Sequence, residues 1–249
     1  MLRNLKALGL ALVAMLALGA FMAAAASAKE EGEIVSQLNT TTLTPSLVTA
    51  TDAGQATGLE FTAFGNSTSC ALNEFHGSLP TGTATSLTVA TAFGGPSQAG
   101  QNCEAGGFPA TVTNNGCHLT FTTFQTVAGQ PTTWTSNVDL VCPAGVPGIQ
   151  VHAYSSSTHG SSVCTITVPP QNGITKVTAH NNVKTPTAAH DLTITAEATN
   201  ITATRSGFCV FDGQGSHTSS AQMHGEVGAS ARTAQGAPLD LYIRHHPKA

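Results

Sequence analysis

Short runs rich in Thr and Val, separated by Gly, Pro, Asn and Ser, set the pattern of this chain. They include "GLEFTAF", "SLTVATAF", "PATVT", "CHLTFTTF", "NVDLV", "GIQVHAY", "VCTITV", "ITKVTAH" and "LTITAEATNITATR". Many short β-prone runs with turn residues between them predict an all-β fold, an antiparallel sandwich or barrel. In the last run Leu192, Ile194, Ala196 and Ala198 alternate with Thr193, Thr195, Glu197 and Thr199. Period-2 alternation of this kind places one face in a core and the other in water. The Leu, Glu, Lys and Arg at 3.6-residue spacing that mark helices are nearly missing.

The N-terminus follows a different pattern. Arg3 and Lys6 precede a run without charge, Ala7 to Met22, which leads through small residues to Ala26-Ser27-Ala28. This order predicts a secretory signal peptide over 1–28, with the mature chain starting at Lys29. An uncleaved membrane anchor is the alternative, since Ala7 to Ala28 is long enough to span a bilayer. The remainder predicts a polar lead-in over 29–54, a β-rich domain over 55–234 and a loose tail over 235–249 unless "LDLYI" adds an edge strand. The domain divides into two candidate lobes, about 55–130 and 131–234. "LEFTAFGNSTSCALNEFHGSL" and "LTITAEATNITATRSGFCVFDGQG" are weakly similar, so two similar halves are an open possibility beside chance likeness of Thr-rich strands. Gly94 to Pro109 and Thr123 to Ser136 read as long loops, and neither has the spacing of a phosphate-binding loop.

Export changes how the six cysteines are read. Cys70, Cys103, Cys117, Cys142, Cys164 and Cys209 all follow the signal segment, an even number that predicts disulfides. If "CHLTFTTF" and "NVDLVC" are adjacent antiparallel strands, Cys117 and Cys142 face each other at one end of the ladder. Chain order then suggests Cys70 with Cys103 and Cys164 with Cys209. Zinc coordination by these cysteines is disfavoured, because no Cys-x-x-Cys pair is present.

Charge excludes further classes. Removing Arg3 and Lys6 from nine basic residues leaves seven against thirteen acidic ones, a net charge of −6. The basic residues are scattered, so neither nucleic acid nor, after signal cleavage, an anionic membrane surface is an expected partner. Only 9% of the chain is charged, and no cofactor motif occurs, so no cofactor is expected.

Candidate chemistry is sparse. Glu74 with His76 and His224 with Glu226 sit two apart, so each pair projects from one strand face and forms a weak alternative metal site or a general base with its carboxylate. A solvated strand face with alternating charges is the simpler account, because period-2 pairs arise readily in β sequence. His245 and His246 read as incidental surface residues. Asp139, Asp191, Glu197 and Asp212 are conceivable paired acids that sequence cannot place across a cleft. No Gly-x-Ser-x-Gly nucleophile elbow occurs. Beyond phenylalanine the aromatics are Trp134, Tyr154 and Tyr242, and Trp134 in "GQPTTWTSN" either stacks on a sugar or peptide or folds back over the core edge.

The trio "ATVTNNGCHLTFT", "VDLVCPAG" and "CTITVPPQNG" resembles a group of uncharacterised secreted proteins of high-GC Gram-positive soil bacteria, over roughly Leu59 to Gly228. The "RHHPKA" end departs from that group. The resemblance implies export, β structure and paired cysteines, and transfers no catalytic residue. The expectation is a secreted or cell-envelope protein with a binding, adhesion or wall-associated role toward an extracellular glycan or protein. The alternative is a secreted hydrolase whose site assembles only in three dimensions.

Overall fold

The computed structural model describes residues 31–38, 42–53, 55, 58–94, 102–182, 191–209 and 217–246, with residues 175, 176 and 217–219 described by backbone alone. The proposed signal segment, Asp212 and the "PKA" residues after His246 lie outside them. Every described element is a strand: β1 (Gly32–Leu38), β2 (Thr42–Leu43), β3 (Ser46–Thr51), β4 (Glu60–Ala63), β5 (Asn66–Cys70) and β6 (Asn73–Leu79). They continue as β7 (Thr83–Ala84), β8 (Leu87–Phe93), β9 (Cys103–Ala105), β10 (Phe108–Thr113), β11 (His118–Val127) and β12 (Gln130–Val141). The last six are β13 (Ile149–Tyr154), β14 (Ser162–Val168), β15 (Gln171–Asn181), β16 (Leu192–Gly207), β17 (His217–Arg232) and β18 (Pro238–His245). The chain is all-β, as its alternation predicts, and no described helix is long and apolar enough to cross a membrane.

The antiparallel pairings close two rings of eight strands. The first runs β3-β6-β8-β11-β12-β15-β16-β17 and returns to β3. The second runs β4-β5-β9-β10-β13-β14-β16-β17 and returns to β4. The β16–β17 hairpin belongs to both: Leu192–Ala196 of β16 pairs with β15, and Thr204–Gly207 pairs with β14. Closure removes the unpaired edges that an open sheet exposes.

Local chemistry explains the course of the long strands. In β16 the inward set Leu192, Ile194, Ala196 and Ala198 gives way to Ile201, Ala203 and Arg205, because the register gains a residue between Ala198 and Ile201. A bulge of this kind reverses the parity of the strand and lets one strand serve two rings. A comparable shift between Thr122 and Gln125 turns Phe124 inward after Leu119 and Phe121. At Phe64–Gly65, φ of 53° and 74° in a two-residue connection form a tight hairpin turn that matches the twist of β4 and β5.

The buried apolar residues form two clusters, one within the first ring and one centred on the second that also takes in Val138, Leu140, Ile174 and Val177 from β12 and β15. The first gathers Val48, Phe75, Leu79, Leu87, Val89, Phe124, Trp134 and Leu192, and the β1–β18 ribbon adds Ile34, Leu241 and Ile243. The second is built on smaller side chains, among them Ala63, Ala105, Ala110, Ala153, Ala203 and Ala221 with Val151 and Ile166. Leu119, Phe121 and Ile194 pack against both. The second core also holds all three disulfides, Cys70–Cys103, Cys117–Cys142 and Cys164–Cys209.

Several expectations about organisation are corrected. The polar lead-in over 29–54 contains β1 and β3, whose Ile34, Val35, Val48 and Ala50 are buried. The tail is not loose, because "LDLYI" does add a strand: six residues of β18 pair with β1, and its Leu239, Leu241 and Ile243 are buried. Residues 31–249 form one compact unit, and each ring takes strands from both sides of the 130/131 boundary, so the two lobes do not exist as sequence halves. The two similar segments also differ: the first bends into three strands, β4 to β6, while the second runs unbroken as β16 to Gly207. Thr123 to Ser136 is a hairpin of β11 and β12 rather than a loop, turning at Ala128–Gly129, where Gly129 adopts φ 76°. Gly94 to Pro109 contains β9 and the start of β10.

Candidate functional site

The residues singled out for chemistry are dispersed. Glu74 and His76 lie on β6, 4.0 Å apart at Oε2 and Nε2, and His76 is exposed. The register sets Glu74 beside Thr51 and then Gly228, whereas His224 lies in the row Glu197–His224–Glu60, also exposed. Glu226 faces Thr195. The weak alternative of a metal bound by Glu74, His76, His224 and Glu226 is therefore not assembled, and among the described residues no three His, Cys, Asp or Glu side chains converge to hold a metal ion. Strand alternation on the outer face accounts for both pairs.

Of the carboxylates that could have paired, Asp139 and Asp191 are used in the scaffold, and Glu197 is exposed on β16. Asp139 Oδ1 accepts the Gly173 backbone N–H at 2.7 Å, and Asp191 Oδ2 accepts that of Leu241 at 3.1 Å. Asp52, which sequence reading passed over, accepts from Asn73 N at 2.8 Å, Asn73 Nδ2 at 2.6 Å and Leu59 N at 3.3 Å. Glu33 is buried at the β1–β18 ribbon. Its burial opposes ionisation, yet hydrogen bonds from Thr83 (2.7 Å), Arg244 (2.8 Å) and His246 (3.2 Å) outweigh it and hold the carboxyl below its usual range. His246 is thus tied to a buried acid rather than incidental. His245 packs on Trp134 edge to face, with centroids 5.0 Å apart. Burial pushes the His152 imidazole below its ordinary pKa, with Nδ1 3.1 Å from Thr165 Oγ1.

Trp134 is 1% exposed, so it cannot stack on a surface ligand. Its ring lies over Gly32, where a Cβ would come within 2.6 Å of Cζ3. Tyr154 bonds Thr111 at 3.0 Å, and Tyr242 donates to Gln37 Oε1 at 2.8 Å. Of the two readings of Trp134, folding back into the core holds and stacking on a sugar or peptide does not.

What the fold does bring together lies inside the rings. An apolar cavity of about 90 Å³ sits in the first ring, among Val48, Leu87, Phe124, Val177 and Val227. A second cavity of about 90 Å³ lies at the junction, lined by Phe61, Thr68 and Val151 of the second ring and by Thr91, Leu140 and Ile174 of the first. The two share the lining residues Leu59, Phe75, Leu119, Ile174, Ile201 and Met223. By the cost of engineered cavities, each void costs about 2 kcal/mol if empty. Close-packed interiors ordinarily avoid such space.

Thr68 and Thr91 give the junction cavity its polarity. They are 5% and 3% exposed, and neither Oγ1 has a hydrogen-bond partner among the described residues. Thr91 shares the inward face of β8 with Leu87 and Val89, and Thr68 pairs across β5 with Phe61 and Ala105. A buried hydroxyl left unpaired costs about 1–3 kcal/mol. No Lys or Arg lines either cavity. An open hollow of about 490 Å³ over the Cys70–Cys103 bridge, lined by Ser69, Asn102, Glu104 and Pro109, is shallow and lacks any comparable convergence. Sequence reasoning missed Thr68 and Thr91, because in a chain rich in threonine nothing distinguishes an inward hydroxyl from the many that face water.

Comparison with protein-family models, with curated proteins and with solved structures returned no match.

Proposed function

We propose that this chain is exported and works outside the cytoplasm as a binding protein that encloses its ligand within the β rings. The observation that carries this reading is the pair of adjoining apolar cavities, one of them lined by two threonines whose buried hydroxyls have no hydrogen-bond partner among the described residues. Eight-stranded barrels are just wide enough to be filled by side chains or to hold one small ligand. Three disulfides suit an oxidising compartment, in keeping with the Arg3/Lys6 start and the Ala26-Ser27-Ala28 end that set maturation at Lys29. Binding is favoured over hydrolysis because Asp139 and Asp191 are committed to scaffold contacts, while the Glu74–His76 pair and the Glu197–His224–Glu60 row lie on the outer face rather than converging in a cavity with the unpartnered hydroxyls.

The test is direct. Intact-mass analysis of secreted protein should give a chain beginning at Lys29, and native mass spectrometry followed by organic extraction should release a bound small molecule. A parallel capture with wall glycans and culture-supernatant proteins covers the surface-binding role. A secreted chain retaining residues 1–28 defeats the maturation reading. Absence of any bound species in both arms defeats the binding reading.

A further inference from the structure

We propose that the two cavities together bind one neutral, single-headed amphiphile, an aliphatic alcohol, with its hydroxyl between Thr68 and Thr91 and its apolar body in the first ring. This rests on the binding reading above and adds the chemical class of the ligand.

Size sets the first limit. A cavity of about 150 Å³ admits benzene, so neither void of about 90 Å³ suffices for a ligand of that size while both together do. A ligand that uses the space must therefore cross the shared wall. Met223 is part of that wall, and its unbranched thioether can change rotamer at little cost.

Polarity fixes the orientation. Thr68 and Thr91 line the junction cavity and are absent from the lining of the other, so the head sits at the junction and the chain points into the first ring. Two hydroxyls can each donate and accept, which satisfies one alcohol oxygen and its proton. A sugar would bring several hydroxyls to a cavity whose other polar lining residues are Asn73, whose amide already donates to Asp52, and the exposed Glu60, so hydroxyls beyond those met by Thr68 and Thr91 would lack free buried partners. A carboxylate or phosphate would be a buried anion without a cation, because no Lys or Arg lines the site and Glu60 stands at its margin.

The experiment uses the mature secreted chain titrated with 1-pentanol, pentane and pentanoate at neutral pH by calorimetry; 1-pentanol has as many heavy atoms as benzene and so fits the joined space. Saturable one-to-one binding of pentanol is expected, with pentane weaker by about tenfold for want of the hydrogen bonds, and pentanoate weaker still. The double variant T68V/T91V keeps the shape and removes both hydroxyls, so pentanol should fall to the affinity of pentane. Unchanged pentane binding in that variant shows that the fold and the cavities are intact. Failure of pentanol to saturate, pentanoate equal to pentanol, or pentanol affinity unaffected in T68V/T91V each overturns the proposal. A glycan or protein captured without pentanol uptake defeats this inference and leaves the broader binding reading standing.

Discussion

Trp134 is the largest of the fully buried side chains, and its removal should be costly. Trp134→Ala would leave a void against Gly32, Phe124 and His245, and large-to-small changes of this kind destabilise by about 3–5 kcal/mol. Urea unfolding of the variant checks the magnitude. Because the chain has one tryptophan, the emission of the native protein should be blue-shifted and resistant to acrylamide. A red, readily quenched emission would mean that the indole is exposed and the first core wrongly drawn. Glu33 makes a second prediction at this scale, and its sign follows from its lowered pKa. A carboxyl held below its unfolded value, near 4.5, contributes stability that is present above that pH and lost as pH falls through the lower folded value. Glu33→Gln should therefore be less stable than the parent at pH 7, where Arg244 and His246 lose their charged partner, and the gap should be smaller at pH 3. Denaturant midpoints at the two pH values decide it. A gap that stays constant would show that charge at Glu33 is irrelevant.

At the scale of elements, strands with β-branched residues announced themselves, and strands built from small residues did not. β16 was plain from Leu192, Ile194, Ala196 and Ala198, yet its parity reversal after Ala198 depends on the pairing with β17, a contact that no local pattern encodes. β17 itself carries Ala221, Gly225, Ala229 and Ala231 toward the interior, residues of low strand propensity that fit only because the facing walls are close. Its role was illegible for that physical reason. β18 showed a clear alternation in Leu239, Leu241 and Ile243, but its partner β1 lies some two hundred residues upstream. Truncation after Gln235 should consequently unfold the first core or halt secretion, because Ile34 would lose the strand that covers it. A truncated chain with native stability would return the tail to the status of an appendage. The Cys117–Cys142 bridge was readable because both cysteines flank strands adjacent in sequence, with His118 opposite Val141. Cys117→Ala with Cys142→Ala should lower stability by about 2–4 kcal/mol through the freed loop, while peptide mapping of the parent without reduction should recover the pair intact.

Across the whole molecule the two rings are stabilised by different means. The first core relies on large apolar groups such as Phe75, Phe124, Trp134 and Leu192, whereas the second relies on alanines and gathers every disulfide. Composition and cysteine count foretold an oxidised β protein, but not this division, because it follows from which strands close which ring. The candidate site was hidden for the same reason: Thr68 and Thr91 are 23 positions apart on β5 and β8, and only closure of both rings aims them at one cavity. The division predicts how the protein should come apart. Two bridges, Cys70–Cys103 and Cys164–Cys209, tie strands of the second ring, whereas Cys117–Cys142 ties the ends of β11 and β12 in the first. Small side chains bury little apolar area, so the second ring depends more on the restriction that its two bridges place on the unfolded chain. Reduction under otherwise native conditions should therefore open it first. Hydrogen exchange should then show early loss of protection at Ala105, Ala153 and Ile166, while Val48, Val89 and Trp134 remain protected. The shared β16–β17 hairpin should split accordingly, with Ile194 and Val227 staying slow and Ala203 and Ala221 becoming fast. Simultaneous loss at all of these amides would instead mean that the hairpin couples the rings into a single cooperative unit, and that the bridges stabilise both.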